Sequence, residues 1–294
     1  MTHQSKSTVR IQKPDWLKRR LPTGSAFESV REMIGRDHLH TVCQEAKCPN
    51  MWECFSHQTA TFLIMGSRCT RNCRFCSVPG GAPEPPDPEE PRRIARVSRE
   101  MGLKYVVITS VTRDDLADGG AAIFSETITE IRRQIPDSCV EVLIPDFQGS
   151  REALYTVLKA GPDVLNHNME TVPRLYPRVR PQADYRRSLE LIRRTRIFAP
   201  DMPTKSGLML GLGETAGEVK KTLEDMRQAG CRILTLGQYL QPSKDHLAVE
   251  RFIPPEEFET WRQEALEMGF EEVASGPFVR SSYYAAELFK EVKA

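Results

Sequence analysis

No sign of charge dominates this chain: 41 basic side chains stand against 40 acidic ones in 294 residues, a formal net charge of +1. That balance leaves no global footprint for nucleic acid or an anionic membrane, and neither is expected as a partner. A long hydrophobic run is also missing. The longest stretch without Asp, Glu, Lys or Arg is the 14 residues from Cys54 to Ser67, too short and too polar to span a bilayer. Residues 1–20 carry neither the apolar h-region of a secretory signal nor the amphipathic helix of a transit peptide, so a cytoplasmic location is expected. Low-complexity sequence is confined to one proline-rich turn at 82–88. The remainder, 39% apolar and 28% charged, is the composition of a globular protein long enough to bury a sizeable core.

The cysteines are not spread evenly. Six of the eight, Cys43, Cys48, Cys54, Cys69, Cys73 and Cys76, fall within 34 residues. A secreted disulfide framework normally comes with a signal peptide and a small, core-poor domain, and neither is evident. Reduced thiols gathered for a metal or cluster are the better reading. Cys139 and Cys231 lie beside strand-like runs and read as buried packing residues.

From residue 59 onward, short apolar runs alternate with longer amphipathic stretches. The runs are 61–65, 105–109, 140–144, 164–168, 207–210 and 233–239, mostly unbroken by charge, as strands buried on both faces should be. Helix-like segments over 89–101, 121–135, 151–160, 185–197, 214–229 and 255–268 follow them, several closed by a glycine. Strict alternation means parallel strands with right-handed crossovers. Six units are two short of a full eightfold barrel, so the fold class is α/β, a partial (β/α)6 TIM-like barrel. The expected division is an N-terminal extension over 1–58, the barrel over 59–270 and a C-terminal extension over 271–294. Chemistry belongs at the C-terminal ends of the strands.

Cys69-Thr-Arg-Asn-Cys73-Arg-Phe-Cys76 begins four residues after the first run, on the loop at that mouth. A closed structural zinc site wants four ligands, whereas three thiolates on a cubane cluster leave one iron open for a small molecule. The second trio, Cys43-x4-Cys48-x5-Cys54, is again one ligand short and suggests a second cluster; a zinc module capping the barrel is the blander alternative.

CxxxCxxC with Phe75 before its last cysteine resembles the signature of radical S-adenosylmethionine enzymes. The resemblance implies a [4Fe–4S] cluster on Cys69, Cys73 and Cys76, whose open iron holds S-adenosylmethionine and cleaves it to a hydrogen-abstracting radical. Six further segments make the chain similar to the lipoyl synthase family: LHTVCQEAKCPNMWEC at 39–54, RDDLADGGA at 113–121, EVLIPDF at 141–147, HNMETVP at 167–173, TKSGLMLGLGE at 204–214 and GPFVRSSY at 276–283. That likeness implies a second, auxiliary [4Fe–4S] cluster on Cys43, Cys48 and Cys54, consumed as sulfur donor. It would be completed by a serine of the Arg-Ser-Ser-Tyr motif, Ser281 or Ser282, with Ser282 favoured. Alone, the motif would read as a helix N-cap. Further implied contacts to S-adenosylmethionine are Phe75, Thr109, Ser110, Arg113, Asp114, Asn168, Glu170, Lys205 and Glu214. Gln238, Tyr239 and Gln241 are expected to line the channel.

The implied reaction inserts sulfur at C6 and C8 of an octanoyl chain on a carrier-domain lysine. The implied partners are octanoylated lipoyl carrier domains, of a 2-oxoacid dehydrogenase E2 or the glycine cleavage H protein, and an electron donor such as ferredoxin or flavodoxin. Residues 174–196 hold eight arginines against Asp184 and Glu190. This face could steer an acidic carrier, or be a solvated helix laced with internal ion pairs. Other readings are a different radical sulfur inserter, biotin-synthase-like or a tRNA methylthiotransferase, and, in another class, a non-catalytic zinc scaffold.

Overall fold

The computed structural model describes residues 12–18, 25–45, 48, 50, 53 and 61–293. Among these, eight strands form one sheet in sequence order: β1 (His40–Thr41), β2 (Thr61–Ile64), β3 (Tyr105–Ser110), β4 (Cys139–Leu143), β5 (Val164–Asn166), β6 (Thr204–Leu210), β7 (Ile233–Gln238) and β8 (Glu272–Gly276). β1 is antiparallel to β2, and every later neighbour pairs in parallel. β1 and β8 do not pair, so the sheet curls without closing. Helices follow six successive strands: α3 (Glu90–Glu100), α4 (Ala121–Gln134), α5 (Arg151–Lys159), α7 (Tyr185–Phe198), α8 (Ala216–Ala229) and α9 (Pro255–Glu267). The expected partial (β/α)6 barrel is present. Helices α1 (Ser25–Arg36) and α2 (Val42–Glu45) precede it, α6 (Tyr176–Val179) follows β5, and α10 (Ala285–Lys293) lies beyond β8.

Local chemistry sets these boundaries. Thr215 and Glu218 form a reciprocal capping box at the start of α8, and Gly230 ends that helix at φ +104°, a conformation that costs glycine little. Asp184 caps α7 by accepting the Arg187 N–H at 2.7 Å. The barrel core falls in two halves, one around Phe62, Ile108, Val142 and Leu165, the other around Leu208, Leu234, Leu236 and Phe258.

Two strands differ from expectation. β6 starts at Thr204 rather than residue 207, because Lys205 is accommodated inside: its Nζ lies 3.1 Å from the Glu141 carboxylate, both groups fully buried. β8 lies past residue 270, so the C-terminal extension adds a seventh parallel strand. Beyond it, α10 contacts β8 and brings Phe289 to 5.9 Å from the Tyr105 ring on β3. Cys231 is fully buried, as expected, whereas Cys139 at the start of β4 is only partly so. No helix among the described residues is long and apolar enough to cross a membrane.

Candidate active site

A cavity of about 560 Å³ opens at the C-terminal ends of the strands. Thiols from both trios line it: Cys43 and Cys48 from the N-terminal extension, and Cys69, Cys73 and Cys76 from the loop after β2. Ser281 and Ser282 line the same space. Cys54 lies outside the described residues.

The loop after β2 is pinned to its neighbours. Met65, at φ +67°, turns the chain out of the strand, and its N–H donates to the buried Glu90 carboxylate at 2.8 Å. Arg71, between the first two cysteines, is buried and donates to both oxygens of Asp114 (2.7 and 2.9 Å) and to Asp146 (2.6 Å). Burial alone would raise the Asp146 carboxyl, but the Arg71 guanidinium holds it well below the usual carboxylate range. The Cys69 Sγ accepts N–H groups from Arg71 (3.4 Å) and Thr112 (3.3 Å). Burial pushes the Cys73 thiol up to about 11 and the Cys76 thiol up to about 12, so loading metal must release protons. Phe75 lines the cavity and packs on the β6–β8 half of the core.

Opposite the loop, the chain after β5 supplies polar groups. Glu170 is held at φ +67° because its N–H donates to Gly207 O and its carbonyl accepts from Met209 N–H, each at 2.9 Å. An unusual backbone conformation fixed from both sides is a hallmark of a functional position. Burial raises the Glu170 carboxyl above the ordinary range. The Oδ1 of Asn168 and the Oγ of Ser110 are buried at the cavity wall with no partner among the described residues. Orphaned polar atoms of this kind call for a polar ligand. Together with three thiols on one loop they fit an iron–sulfur cluster carrying S-adenosylmethionine. Thr109 is on the same wall, its hydroxyl donating to Leu143 O at 2.8 Å.

Small residues make the room. A Cβ on Gly207 would come within 2.3 Å of Thr235 Oγ1, and one on Gly237 within 2.2 Å of Val279 O. The C-terminal segment therefore lies directly on β7 and carries Ser281 and Ser282 into the cavity. They are not helix caps, since α10 begins only at Ala285. Hydrogen bonds that tie the N-terminal extension to this region include Asn50 Nδ2 to Phe278 O (2.6 Å), Tyr283 OH and Tyr284 OH to Glu53 (3.1 and 3.2 Å) and Ser77 Oγ to Glu45 O (2.6 Å).

Four of the expected cofactor contacts lie elsewhere. Lys205 is spent on Glu141 beneath the cavity. Arg113 is buried against Asp115, and Asp114 anchors Arg71. The Glu214 carboxylate accepts the N–H of Gly211 and, at 2.9 Å, of Leu212, closing its own loop before α8. Gln238, Tyr239 and Gln241 do line the cavity, but the Gln238 amide is committed to Leu210, Tyr239, Arg251 and Ile253 backbone. The arginine-rich segment is mostly paired internally: Arg174 with Glu218, Arg178 with Glu250, Arg187 with Asp146, and Arg193 and Arg194 with Glu190. The ion-paired face, not a free basic patch, is what the sequence encodes there.

Sequence reasoning missed Arg180 and His167. Arg180 is buried on the cavity wall, its Nη1 donating to Asn168 O (2.8 Å) and Met169 O (3.2 Å), while its Nε has no partner among the described residues. It hid among arginines that read as surface. His167 is held between Ile144 O (2.9 Å) and Ser188 Oγ (3.0 Å), and burial pushes it down to about 4. The first bond makes Nδ1 the donor, and with burial keeping the ring neutral Nε2 accepts from Ser188. Lys13, from the N-terminal arm, also reaches the cavity lining.

The sequence model of the radical S-adenosylmethionine superfamily matches residues 63–226, and that of the N-terminal domain of lipoyl synthase matches residues 1–48. The chain is 56% identical over 292 residues to the lipoyl synthase of Desulfotalea psychrophila, covering 99% of this chain and 98% of that one. The chain belongs to the lipoyl synthase family. Its members include the lipoyl synthase of Haemophilus influenzae, 54% identical over 94% of this chain and 87% of that one. As a family member the chain is a radical S-adenosylmethionine enzyme, with S-adenosylmethionine and [4Fe–4S] clusters as cofactors. The fold also superposes on Streptococcus suis SuiB bound to S-adenosylmethionine (TM-score 0.58, 10% identity, 85% of this chain and 61% of that one). Methylornithine synthase gives a TM-score of 0.53 at 13% identity, over 86% of this chain and 75% of that one. At those identities the likeness is one of fold.

Proposed function

We propose that this lipoyl synthase family member inserts two sulfur atoms, at C6 and C8, into an octanoyl chain carried as an amide on a lysine of a lipoyl carrier domain. A single observation carries the reading: thiols of both cysteine trios and the serines of the C-terminal motif face one cavity. Hydrogen abstraction and sulfur delivery can then act on the same alkyl chain without its leaving the site.

When bound, S-adenosylmethionine on a reduced cluster supplies a hydrogen-abstracting radical, and a second cluster supplies sulfur. The chain's own residues provide the setting. Cys69, Cys73 and Cys76 hold the first cluster, and Cys43, Cys48, Cys54 and Ser282 the second. A serine hydroxyl is a harder ligand than the thiolates beside it, suited to an iron that must be given up. Asn168, Glu170, Ser110 and Thr109 face the amino-acid and ribose groups of S-adenosylmethionine. Arg180 offers its unpartnered Nε–H to the carboxylate. Leu63, Val111, Ile144, Leu208 and Met209 give the cavity apolar walls that accept an octanoyl chain and keep water from the radical.

The division into an extension over 1–58, a barrel over 59–270 and an extension over 271–294 follows these roles. The carriers are the E2 subunits of 2-oxoacid dehydrogenases or the glycine cleavage H protein. The electron comes from a small protein such as ferredoxin or flavodoxin, all in the cytoplasm. The test is anaerobic incubation with S-adenosylmethionine, a reductant and an octanoyl-lysine peptide. A product heavier by two sulfur atoms, formed with 5′-deoxyadenosine, supports the reading. Deoxyadenosine without sulfur insertion contradicts it.

A further inference from the structure

Behind the loop that bears Cys69, Cys73 and Cys76 runs a segment that none of the roles above uses. After β7 the chain turns back, and residues 243–248 lie along the outer face of that loop. His246 Nε2 sits 2.9 Å from the carbonyl oxygen of Cys76, and its Nδ1 is 2.8 Å from Ser243 Oγ. A carbonyl can only accept, so Nε2 carries a proton and donates it; Nδ1 pairs with the Ser243 hydroxyl, which also lies 3.5 Å from the Asp245 carboxylate. The neighbouring Leu247 N–H donates to Arg74 O at 3.2 Å. The brace is itself fixed: Tyr239 OH donates to Leu247 O (2.7 Å) and Gln241 Nε2 to His246 O (2.8 Å). His246 does not line the main cavity. It lines a second, outer one with Asn72, Cys73 and Arg74, and Cys73 borders both spaces. The loop is thus a thin wall, with thiols on its inner face and His246 on its back.

We propose that His246 is a positioning residue for the first cluster, acting through its Nε2–H bond to the Cys76 carbonyl. The inference rests on the assignment of Cys69, Cys73 and Cys76 as cluster ligands. Two effects follow from the geometry. The bond fixes the peptide that aims the Cys76 thiolate, as partners behind metal ligands generally do. It also compensates the negative end of a carbonyl dipole beside a cluster that gains negative charge on reduction, and hydrogen bonding around a cluster is a lever on its potential. Without the donor, the reduced state is disfavoured. Ser243 contributes by holding the ring in the orientation that donates.

The test uses full-length protein in which Cys43, Cys48 and Cys54 are replaced by Ala, so that one cluster remains. Reconstituted under nitrogen, this parent is compared with the same protein carrying His246→Ala, His246→Gln or Ser243→Ala. Iron content and the fraction of cluster reduced at a fixed applied potential, by electron paramagnetic resonance, are read together. The proposal expects His246→Ala to lower the reduced fraction several-fold. His246→Gln, whose amide N–H reaches the same carbonyl, restores most of it, and Ser243→Ala falls between. Iron lost in His246→Ala and regained in His246→Gln also supports it. A reduced fraction in His246→Ala equal to the parent's, or a glutamine variant no better than alanine, overturns it. A parent that takes up no iron overturns the cluster assignment itself.

Discussion

Thiols from the two cysteine trios line one cavity, and the contacts that hold the two segments differ in kind. The loop with Cys69, Cys73 and Cys76 is locked into the barrel by buried ion pairs from Arg71 and by backbone bonds from residues 112, 179 and 247. Cys43 and Cys48 sit on an extension held by the short antiparallel pairing of β1 with β2, by ion pairs of Arg36 with Glu100 and of Asp37 with Arg96, and by side-chain contacts that include Asn50 to Phe278, Glu53 to Tyr283 and Ser77 to Glu45 O. Among the described residues, the first loop is anchored by buried charge of its own, the second segment by a two-residue strand and part-buried side chains.

The largest effect expected from breaking this contrast is on chemistry. Ser282→Ala should abolish sulfur insertion while leaving deoxyadenosine formation, and Ser281→Ala should slow insertion a few-fold at most. Equal loss in both, by product mass spectrometry, would remove the assignment of one serine to the iron. Next is Arg71→Met, which leaves Asp146 fully buried beside Arg187 alone and strips the loop of its anchor. Loss of one partner of a buried pair costs about 3–5 kcal/mol, read as a lower urea midpoint of the apo-protein. Arg71→Lys should not rescue it, because the bidentate geometry is lost.

Acid should loosen the barrel wall by a similar or smaller amount. His167 titrates near 4 in the folded chain against an ordinary value of 6.5, because burial disfavours its charged form. The unfolded chain therefore binds a proton first. The stability that neutral His167 gives is complete above about pH 6.5, falls as pH drops toward 4, and levels off below, a loss of about 3 kcal/mol. Urea titrations of the apo-protein at several pH values measure it, and His167→Gln should flatten that limb. Smallest is Tyr283→Phe. It removes one hydroxyl from the Glu53 carboxylate, worth about 1.5–3 kcal/mol for a charged partner, but Tyr284 OH also reaches Glu53 at 3.2 Å and cushions the loss. Iron content should drop partway toward that of the single-cluster protein, with deoxyadenosine formation unchanged.

The alternating runs and the two trios made the barrel and the thiol sites legible from sequence. An uncharged run of four to seven residues suits a strand covered on both faces, and cysteines a few residues apart suit a shared metal or cluster. Charge was what misled. Lys205 masked the first half of β6, since a lysine inside a barrel is tolerable only with a partner such as Glu141, 64 residues away. Glu214 looked like a ligand contact but satisfies the N–H groups of its own turn. Arg180 disappeared among arginines whose acidic partners, Glu218, Glu250 and Asp146, lie far off in sequence. β8, Glu-Val-Ala-Ser-Gly, has too little apolar character to announce itself and is recruited by pairing with β7.

The division of labour between the two trios is tested most directly by removing each in turn. Chains with Cys43, Cys48 and Cys54 replaced by Ala, or with Cys69, Cys73 and Cys76 replaced, are assayed anaerobically for deoxyadenosine and for sulfur in an octanoyl-lysine peptide. The account predicts that the first variant still cleaves S-adenosylmethionine but inserts no sulfur, and that the second does neither. Sulfur insertion by the first variant, or loss of cleavage from it with its remaining cluster intact, would contradict the account.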